Sequence, residues 1–512
     1  MFKEPNCREH NHPQTNAVCS KSQPFVEKVI PLVMHLRFRR SIFCLCVLLC
    51  SVAPLGAYSV LTHEEIVDMA WTQHSVPLLK ARFPGITPEQ IKEAHAYAYG
   101  GCIIQDLGYY PKSSKAFSDL LHYVRTGDFV EALLRDASTP DELAFALGAL
   151  AHYTADSIGH PYVNQVTAME FPKLRKKYGP IVTYEQDKTA HLRTEFGFDV
   201  VGVARGKYAQ EDYRTFIGFE VAKPLLNRAF EETYGLKLTD LLTNEDRSIG
   251  TARWAVSTLI PKMTKVALLT YHDQIEHATP GFDVKKFRYR MNRTTYEKNW
   301  GKTYQKPGFG SHLLAILITI LPKIGPLKAL KLQLPNGDEQ TIYIHSVNET
   351  VDRYQAQIDL LKGSSVAQAI PDASSDGLHP DADAAQGTDP ASVGHVEALN
   401  AARMPLDLPP IDLDTGKPIA PGEYELSDKA HADLLARIVR EDKAGLPAEL
   451  HQHLLNYYVG PDASKNTLEK KPKDWAKVQA NLQTLKTLPD GPVSVPSATT
   501  ETPEKATSNV PL

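Results

Sequence analysis

Cysteine is nearly absent beyond residue 50 of this 512-residue chain. Only Cys102 lies beyond that point, and the other five of the six cysteines fall within the first fifty residues: Cys7, Cys19, Cys44, Cys46 and Cys50. If the N-terminal segment is removed, the remaining chain cannot form an internal disulfide. Its stability must then come from core packing, with bound metal as a further source.

The chain also lacks a large excess of charge of either sign. The formal net charge is -4 and the sequence pI is about 6.6, which gives no general electrostatic reason to expect nucleic-acid binding. A hydrophobic content of 42% and a charged content of 23% are typical of a globular protein. The length allows a large core and more than one domain.

The apolar run near the N-terminus, residues 42–52, is too short to be a comfortable transmembrane span. It lies within "MHLRFRRSIFCLCVLLCSVAPLGA" (residues 34–57), where arginines precede the run and small residues follow it. This order predicts a secretory signal peptide cleaved after Ala57, and therefore a secreted or periplasmic protein. The charged region has a normal length when counted from Met34, so we interpret Met34 as the true start. The alternative is a lipoprotein anchored at Cys50.

Helical periodicity dominates the chain from Tyr58 to about Tyr271. Apolar residues recur at three- and four-residue spacing in residues 61–74, 88–99, 118–126, 141–152 and 183–196. Convincing strand alternation is scarce in this part of the chain. The sequence therefore predicts a mainly α fold, with a multi-helix bundle domain over residues 58–279.

The rest of the chain predicts a smaller α+β region. The segment "LKLQLPNGDEQTIYIHSV" alternates around Asn336-Gly337, which indicates a hairpin and a small β-containing module over residues 280–362. Residues 363–409 are rich in Ala, Asp, Ser, Gly and Pro and are interpreted as a disordered linker. Amphipathic helices are expected in a C-terminal segment, 410–488, followed by a disordered tail, 489–512.

The stretch "HYTADSIGHP" places His152, Asp156 and His160 at successive four-residue steps. On a helix, such residues project from one face. Zinc takes His nitrogen and carboxylate oxygen, usually from four ligands, and a central Asp156 could bridge two metal ions. Alone, the motif is weak, because single His-x-x-x-acid pairs are frequent by chance.

Further potential ligands lie elsewhere in the sequence. "HLRTEFGFD" supplies a second pair four residues apart, His191 and Glu195, and "THEE" supplies His63. Asp106 follows two glycines in an expected loop, and His122 lies on an expected short helix. Donors on separate elements are typical of a site between the helices of a bundle.

In its order of potential ligands, the chain resembles the zinc-dependent phospholipase C family and, more distantly, the related single-strand nucleases. The resemblance covers roughly residues 58–199 and implies a helical fold that holds three zinc ions in a cleft. It implies that the mature N-terminal residue ligates through its amino nitrogen and carbonyl oxygen. The implied sets are Asp106, His122, His152 and Asp156 for one zinc; His160, His191 and Glu195 for the second; and Tyr58, His63 and Asp156 for the third.

The resemblance implies a phosphodiester hydrolase, most simply a phospholipase C, in which Asp106 orients or deprotonates a metal-activated water. The expected partner is a phospholipid or other phosphodiester substrate, with transient contact to a membrane surface and no stable nucleic-acid complex. A nuclease or phosphomonoesterase with the same metals is the alternative of the same chemistry. A non-catalytic secreted binding protein stabilised by zinc is the alternative of another class.

The sequence departs from the family pattern at His160. That residue follows Asp156 by four residues, whereas six is common in the family. Asp187 and Asp199 are substitutes if Glu195 is not the ligand.

Two further features keep two interpretations each. Tyr109, Tyr110 and Phe117 either line a headgroup or base pocket or are ordinary core and loop aromatics. The apolar run at residues 313–321 is either a buried element or a lipid-contact element.

Overall fold

The structure is a computed structural model that describes residues 60–205, 219–256, 260, 334–363, 406–440 and 446–488. All of them belong to one compact unit, Val52–Leu512. The predicted signal peptide, Tyr58, the run at 313–321 and the predicted tail lie outside the described residues. Within those ranges, no helix is both long enough and apolar enough to cross a membrane.

The described residues are 77% helical, which confirms the mainly α fold and the helical bundle. In the first half of the chain the helices are α1 (Val60–Ala70), α2 (Val76–Arg82), α3 (Pro88–Ile104), α4 (Lys115–Tyr123), α5 (Thr126–Asp136), α6 (Pro140–Glu170), α7 (Pro172–Tyr178) and α8 (Lys188–Arg205). A π-helical turn, Trp71–Ser75, joins α1 to α2, and a 3-10 turn, Gln105–Tyr109, follows α3.

The 31-residue helix α6 is the central element of the bundle. Thr139 begins it by accepting a hydrogen bond from the Glu142 amide, with Pro140 at the first helical position. Its middle is rich in alanine and leucine, which favour helix, and both faces there are buried. A helix buried all round must have neighbours on every side, and this allows polar residues on α6 to meet donors from several elements.

Glycines bring α3 and α6 into close contact. A Cβ atom on Gly101 would lie 1.9 Å from the Phe145 carbonyl oxygen, and one on Gly148 would lie 2.0 Å from the Ala98 carbonyl oxygen. Any larger residue at either position would collide with backbone that cannot move independently of its helix. The two backbones therefore approach more closely than side chains would allow.

Helices α9 (Lys223–Tyr234), α10 (Leu238–Leu241), α11 (Glu245–Trp254) and α12 (Gly337–Gly363) follow α8. The hairpin predicted at Asn336-Gly337 is wrong, because a helix begins there. The Asn336 side chain accepts hydrogen bonds from the Asp338 and Glu339 amides and so caps α12. The predicted β-containing module is therefore wrong for residues 337–362, where Tyr354 of α12 donates to the Leu147 carbonyl of α6. The rest of that module, residues 280–333, lies outside the described residues.

The C-terminal part contains strands β1 (Ile411–Asp412) and β2 (Lys417–Pro418), paired antiparallel, and helices α13 (Glu425–Arg440), α14 (Ala448–Val459) and α15 (Pro472–Leu485). We call residues 411–418 the C-terminal hairpin. Residues 406–409 were assigned to the disordered linker, but Leu406 and Leu408 are buried and the Leu408 amide donates to Glu131. Residues 364–405 of that linker lie outside the described ranges.

Candidate metal centre

Three groups of buried histidines and carboxylates lie together inside the bundle. Within each group the potential ligand atoms lie within 4.8 Å of one another: His63, His152 and Asp156; Asp106, His122 and His152; His160, His191 and Glu195. The donors come from α1, α4, α6, α8 and the 3-10 turn after α3. The helices bring together every site residue named from the sequence except Tyr58, which is outside the described residues.

The stripe on α6 is the centre of this arrangement, and Asp156 divides its two oxygens between neighbouring groups. Asp156 Oδ2 lies 3.0 Å from His152 Nε2 and 3.6 Å from His122 Nε2. Asp156 Oδ1 lies 3.4 Å from His63 Nε2 and 3.9 Å from His160 Nε2. One carboxylate therefore faces four imidazoles, as expected of a bridging ligand.

Several of these separations suit shared metal ligation better than hydrogen bonding. Two ligands about 2.1 Å from one ion in a tetrahedral arrangement lie about 3.4 Å apart, whereas an N–H···O hydrogen bond is about 2.9 Å long. His122 Nε2 lies 3.4 Å from Asp106 Oδ1, and His160 Nε2 lies 3.6 Å from Glu195 Oε1. The pairs are too far apart to bond directly and close enough to hold one cation.

Two of the histidines have their tautomer fixed by backbone carbonyls. His122 Nδ1 lies 2.8 Å from the Ser118 carbonyl oxygen, and His152 Nδ1 lies 2.8 Å from the Cys102 carbonyl oxygen. A carbonyl only accepts, so Nδ1 carries the proton and the lone pair of the neutral ring is on Nε2. Both Nε2 atoms point into the groups, and a histidine that binds metal typically donates its other ring N–H to a carbonyl in this way.

Buried polar atoms in the groups have no hydrogen-bond partner among the described residues. They are Asp106 Oδ1, His122 Nε2, His152 Nε2, both Asp156 oxygens, both ring nitrogens of His160 and of His191, and Glu195 Oε1. A buried polar atom left unpaired costs about 1–3 kcal/mol, so such a concentration requires an explanation. Divalent cations bound to these atoms would supply it, and nitrogen with carboxylate oxygen is the donor set that zinc prefers.

The electrostatics of the first two groups are dominated by Asp156. Burial alone would raise its pKa, but His152, His160 and His122 outweigh burial and hold the pKa well below its usual value. Burial lowers the pKa of His122, yet Asp106 and Asp156 outweigh that effect and raise it well above the ordinary value. Asp156 is therefore ionised, and the cluster attracts positive charge.

The third group has a different balance. Burial raises the pKa of Glu195 well above its usual value, and nearby Asp106 and Asp156 raise it further, although His160 opposes them. Burial lowers the pKa of His191 to about 4. The imidazole of His191 is therefore neutral near pH 7 and able to ligate a cation.

Asp106 lies in a different local structure from the one expected. Gly100 and Gly101 belong to helix α3, and Asp106 lies in the 3-10 turn that continues it. The predicted loop is therefore wrong. Position 100 requires glycine, because the Glu220 carbonyl oxygen would lie 1.7 Å from any Cβ there. The turn carries the Asp106 side chain to His122.

The two substitutes for Glu195 have other contacts. Asp199 accepts hydrogen bonds from the Leu61 and Thr62 amides and from the Thr62 hydroxyl, so it caps the beginning of α1. Asp187 accepts from the Ala190 amide and caps α8. Neither belongs to a donor group, whereas Glu195 Oε1 lies 2.7 Å from His191 Nε2.

Aromatic side chains flank two of the ligand histidines. The Tyr109 ring lies 5.5 Å from that of His122, and the Tyr184 ring lies 5.6 Å from that of His191. Tyr184 was not singled out from the sequence. Phe117 instead packs against Phe230 in the core, which favours the core interpretation for it.

Sequence reasoning also missed Asp414, a carboxylate of the C-terminal hairpin. Its Oδ1 lies 3.7 Å from His160 Nδ1, and its side chain is only 6% exposed. Asp414 is 254 residues from His160, in a segment that contains no motif. No local spacing signal could have associated the two.

The bundle and its centre define a helical domain with buried histidine and carboxylate groups that are able to hold metal ions. Residues 62–240 match the family described as zinc dependent phospholipase C. Over this segment, which is less than half of the chain, the sequence is similar to that family of phospholipase C-type hydrolases, and this confirms the resemblance read from the ligand order. Comparison with curated proteins and with solved structures gave no match.

Proposed function

We propose that the protein is a secreted zinc-dependent phosphodiester hydrolase, most specifically a phospholipase C that releases a phosphorylated headgroup and diacylglycerol. One observation carries the proposal: three buried donor groups adjoin one another, and Asp156 faces ligands of all three. A single structural zinc would need only four ligands. Three adjoining groups favour a multi-metal centre of the type that acts on phosphate esters.

The proposed ligand sets follow the family order. Asp106, His122, His152 and Asp156 would hold one zinc. His160, His191 and Glu195 would hold a second. His63 and Asp156, with the backbone of Tyr58, would hold a third. The second set has three protein ligands, the number found where catalytic zinc keeps a position open for water or substrate.

Zinc bound here would polarise a phosphoryl oxygen and lower the pKa of a coordinated water. The side chains around it then perform distinct tasks. Asp106 Oδ1 faces His122 Nε2 at 3.4 Å and is free of other hydrogen bonds among the described residues, so it can orient a water and accept its proton. His122 and His152 keep their lone pairs directed inward because the Ser118 and Cys102 carbonyls hold their Nδ1 protons.

The activity test compares substrates and variants of the same preparation. We expect hydrolysis of phosphatidylcholine vesicles to exceed hydrolysis of single-stranded DNA and of a phosphomonoester. Higher activity on DNA or on the monoester would favour the nuclease or phosphatase alternative, and inactivity on all three would favour the non-catalytic one. Metal analysis should show bound zinc.

The role of Asp106 is tested by Asp106→Asn. Loss of a base is expected to lower kcat/KM by about 10²–10⁴-fold. Asp187→Asn is the matched control, because Asp187 caps α8 outside the centre and asparagine caps helices as well as aspartate does. Unchanged turnover of Asp106→Asn would remove Asp106 from the reaction.

The N-terminal ligand and the secretion signal have their own tests. Sequencing of the secreted protein is expected to begin at Tyr58. Extra residues placed before Tyr58 should remove one zinc, because its amino nitrogen becomes an amide. Unchanged zinc content in the extended protein would refute that ligand.

A further inference from the structure

The C-terminal hairpin, residues 411–418, lies directly against the metal centre although it is far beyond the family match, which ends at residue 240. The Leu413 amide donates to the backbone carbonyl of His122 at 3.1 Å. The Asn164 side chain of α6 donates to the Asp414 carbonyl at 2.8 Å. These bonds fix the hairpin to the helices that carry ligands of two different groups.

The turn of the hairpin packs against α6 next to the ligand stripe. Pro161 has no amide hydrogen, so the Ser157 carbonyl receives no helical bond from it. Gly416 approaches this point so closely that a Cβ would lie 2.5 Å from the Ser157 carbonyl oxygen and 2.7 Å from Pro161 Cγ. Its φ of +67° also favours glycine. The backbone of the hairpin is therefore placed against the helical turn that carries Asp156 and His160.

This placement puts the Asp414 carboxylate in a fixed orientation. Its Oδ2 accepts hydrogen bonds from the hydroxyls of Tyr123 at 2.8 Å and Tyr424 at 2.7 Å. Both tyrosine rings are buried. With Oδ2 occupied, Oδ1 is the oxygen directed toward His160 Nδ1, at 3.7 Å.

The His160 ring must carry its proton on Nδ1 if Nε2 is the ligand atom. Its Nε2 faces Glu195 and Asp156, as a ligand atom must. The proton of the neutral ring must then lie on Nδ1, which is fully buried and has no hydrogen-bond partner among the described residues. In His122 and His152, a backbone carbonyl accepts the Nδ1 proton at 2.8 Å. The carboxylate that faces His160 Nδ1 is that of Asp414, at 3.7 Å, which is too long for a direct hydrogen bond and close enough for its charge to favour a proton on that nitrogen.

We propose that Asp414 is a positioning residue of the metal centre: its negative charge, 3.7 Å from His160 Nδ1, holds the ring proton on that nitrogen and so keeps Nε2 as a ligand atom in the group with His191 and Glu195. The inference rests on the proposed function, since it requires a cation in that group. It extends the centre beyond the family match, because the C-terminal hairpin supplies a carboxylate that orients one of the ligands.

The test is zinc binding by Asp414→Asn in the full chain. Asparagine is uncharged and has one oxygen where aspartate has two, so it cannot accept from both tyrosines and also present a carboxylate oxygen to His160. Zinc content is measured after equilibration at graded free zinc concentrations. Loss of an outer-shell partner typically weakens metal affinity by about 10–100-fold, and we expect that loss for one ion, with the others retained.

Asp428→Asn is the matched control. Asp428 is a buried carboxylate of the same C-terminal part, and it likewise accepts a tyrosine hydroxyl, that of Tyr457 at 2.7 Å. It belongs to none of the donor groups. Its variant should lose stability without losing zinc affinity. Equal loss of zinc in both variants would mean that Asp414 only stabilises the fold.

A double-mutant cycle with His160→Ala separates a direct from an indirect effect. If Asp414 acts through His160, Asp414→Asn has no additional effect on zinc affinity when His160 is already replaced. Additive losses would overturn the inference, as would an Asp414→Asn affinity within about two-fold of wild type. Absence of zinc from the wild-type protein would instead overturn the proposed function.

Discussion

Replacement of Gly148 by alanine is expected to destabilise the bundle and weaken the metal centre together. A Cβ there would lie 2.0 Å from the Ala98 carbonyl oxygen, whereas 3.4 Å is an ordinary contact, so α3 and α6 must separate by about 1.4 Å. The same separation stretches the 2.8 Å bond between His152 Nδ1 and the Cys102 carbonyl beyond hydrogen-bonding distance.

The expected magnitude follows from three contributions. Overpacking against backbone is at the upper end of its usual range, about 3 kcal/mol. Loss of the His152 hydrogen bond costs about 1 kcal/mol. Alanine favours helix over glycine by about 1 kcal/mol, which offsets part of the loss. The net fall in the free energy of unfolding is about 3 kcal/mol, and a freed His152 should lower zinc affinity by about 10–100-fold.

The assay is urea unfolding with zinc present and with chelator, and zinc titration of the folded protein. Gly250→Ala is the matched control, because Gly250 lies in helix α11 and a Cβ there meets nothing within 4 Å. It should gain up to about 1 kcal/mol. A Gly148→Ala protein as stable as wild type, measured beside a stabilised Gly250→Ala, would refute the close approach of α3 and α6.

Three further predictions concern substitutions of single residues. Asp156→Asn should remove zinc from more than one group, because the two oxygens of Asp156 face different histidines. Glu195→Gln should remove one ion. Equal zinc losses from the two variants, measured by metal analysis, would contradict a bridging role for Asp156. Gly416→Ala should weaken zinc binding in the His160 group. The control is Gly85→Ala, because Gly85 has a similar φ but open space around a Cβ, so this variant should lose only about 1–2 kcal/mol of stability through backbone strain. Equal zinc affinities of the two variants would contradict docking of the hairpin against α6. Burial raises the pKa of Glu170 from 4.5 to about 8. The stability that the folded protein gains from a protonated Glu170 is therefore fully present below about pH 4.5, and it is lost as the pH rises toward 8. The free energy of unfolding of Glu170→Gln, measured in urea, should therefore rise relative to that of wild type between those pH values, by at most about 5 kcal/mol. A difference between the two proteins that stays constant with pH would contradict the raised pKa.

Periodicity predicted the part of the centre that lies on helices. His152, Asp156 and His160 had to share one face once α6 formed, and His191 and Glu195 had to do so on α8. The burial of those faces followed from the apolar residues between them. Their mutual approach did not follow, because it depends on the glycine contacts between α3 and α6 and on the packing of α8.

The failures have local causes. Asn336-Gly337 is typical of a hairpin, but asparagine is also a strong helix cap, and the contacts of α12 with α6 decided between the two. The last residues of the predicted linker were judged by composition, which does not reveal that Leu406 and Leu408 are buried. Asp414 was missed because its place beside His160 depends on the position of a remote segment, and a single sequence carries no record of that contact.

The position of Cys102 makes the closed state of the centre measurable by its chemistry. Its thiol is fully buried, it donates to the Tyr99 carbonyl, and burial raises its pKa well above the ordinary value, with Glu64 of α1 raising it further. A buried, protonated thiol is inert toward alkylating reagents. Alkylation of Cys102 requires the helices around α3 to part, and this loosens the same residue whose carbonyl accepts the hydrogen bond from His152 Nδ1. In a chain that begins at Tyr58, Cys102 is the one cysteine, so the alkylation rate reports how often the centre opens transiently.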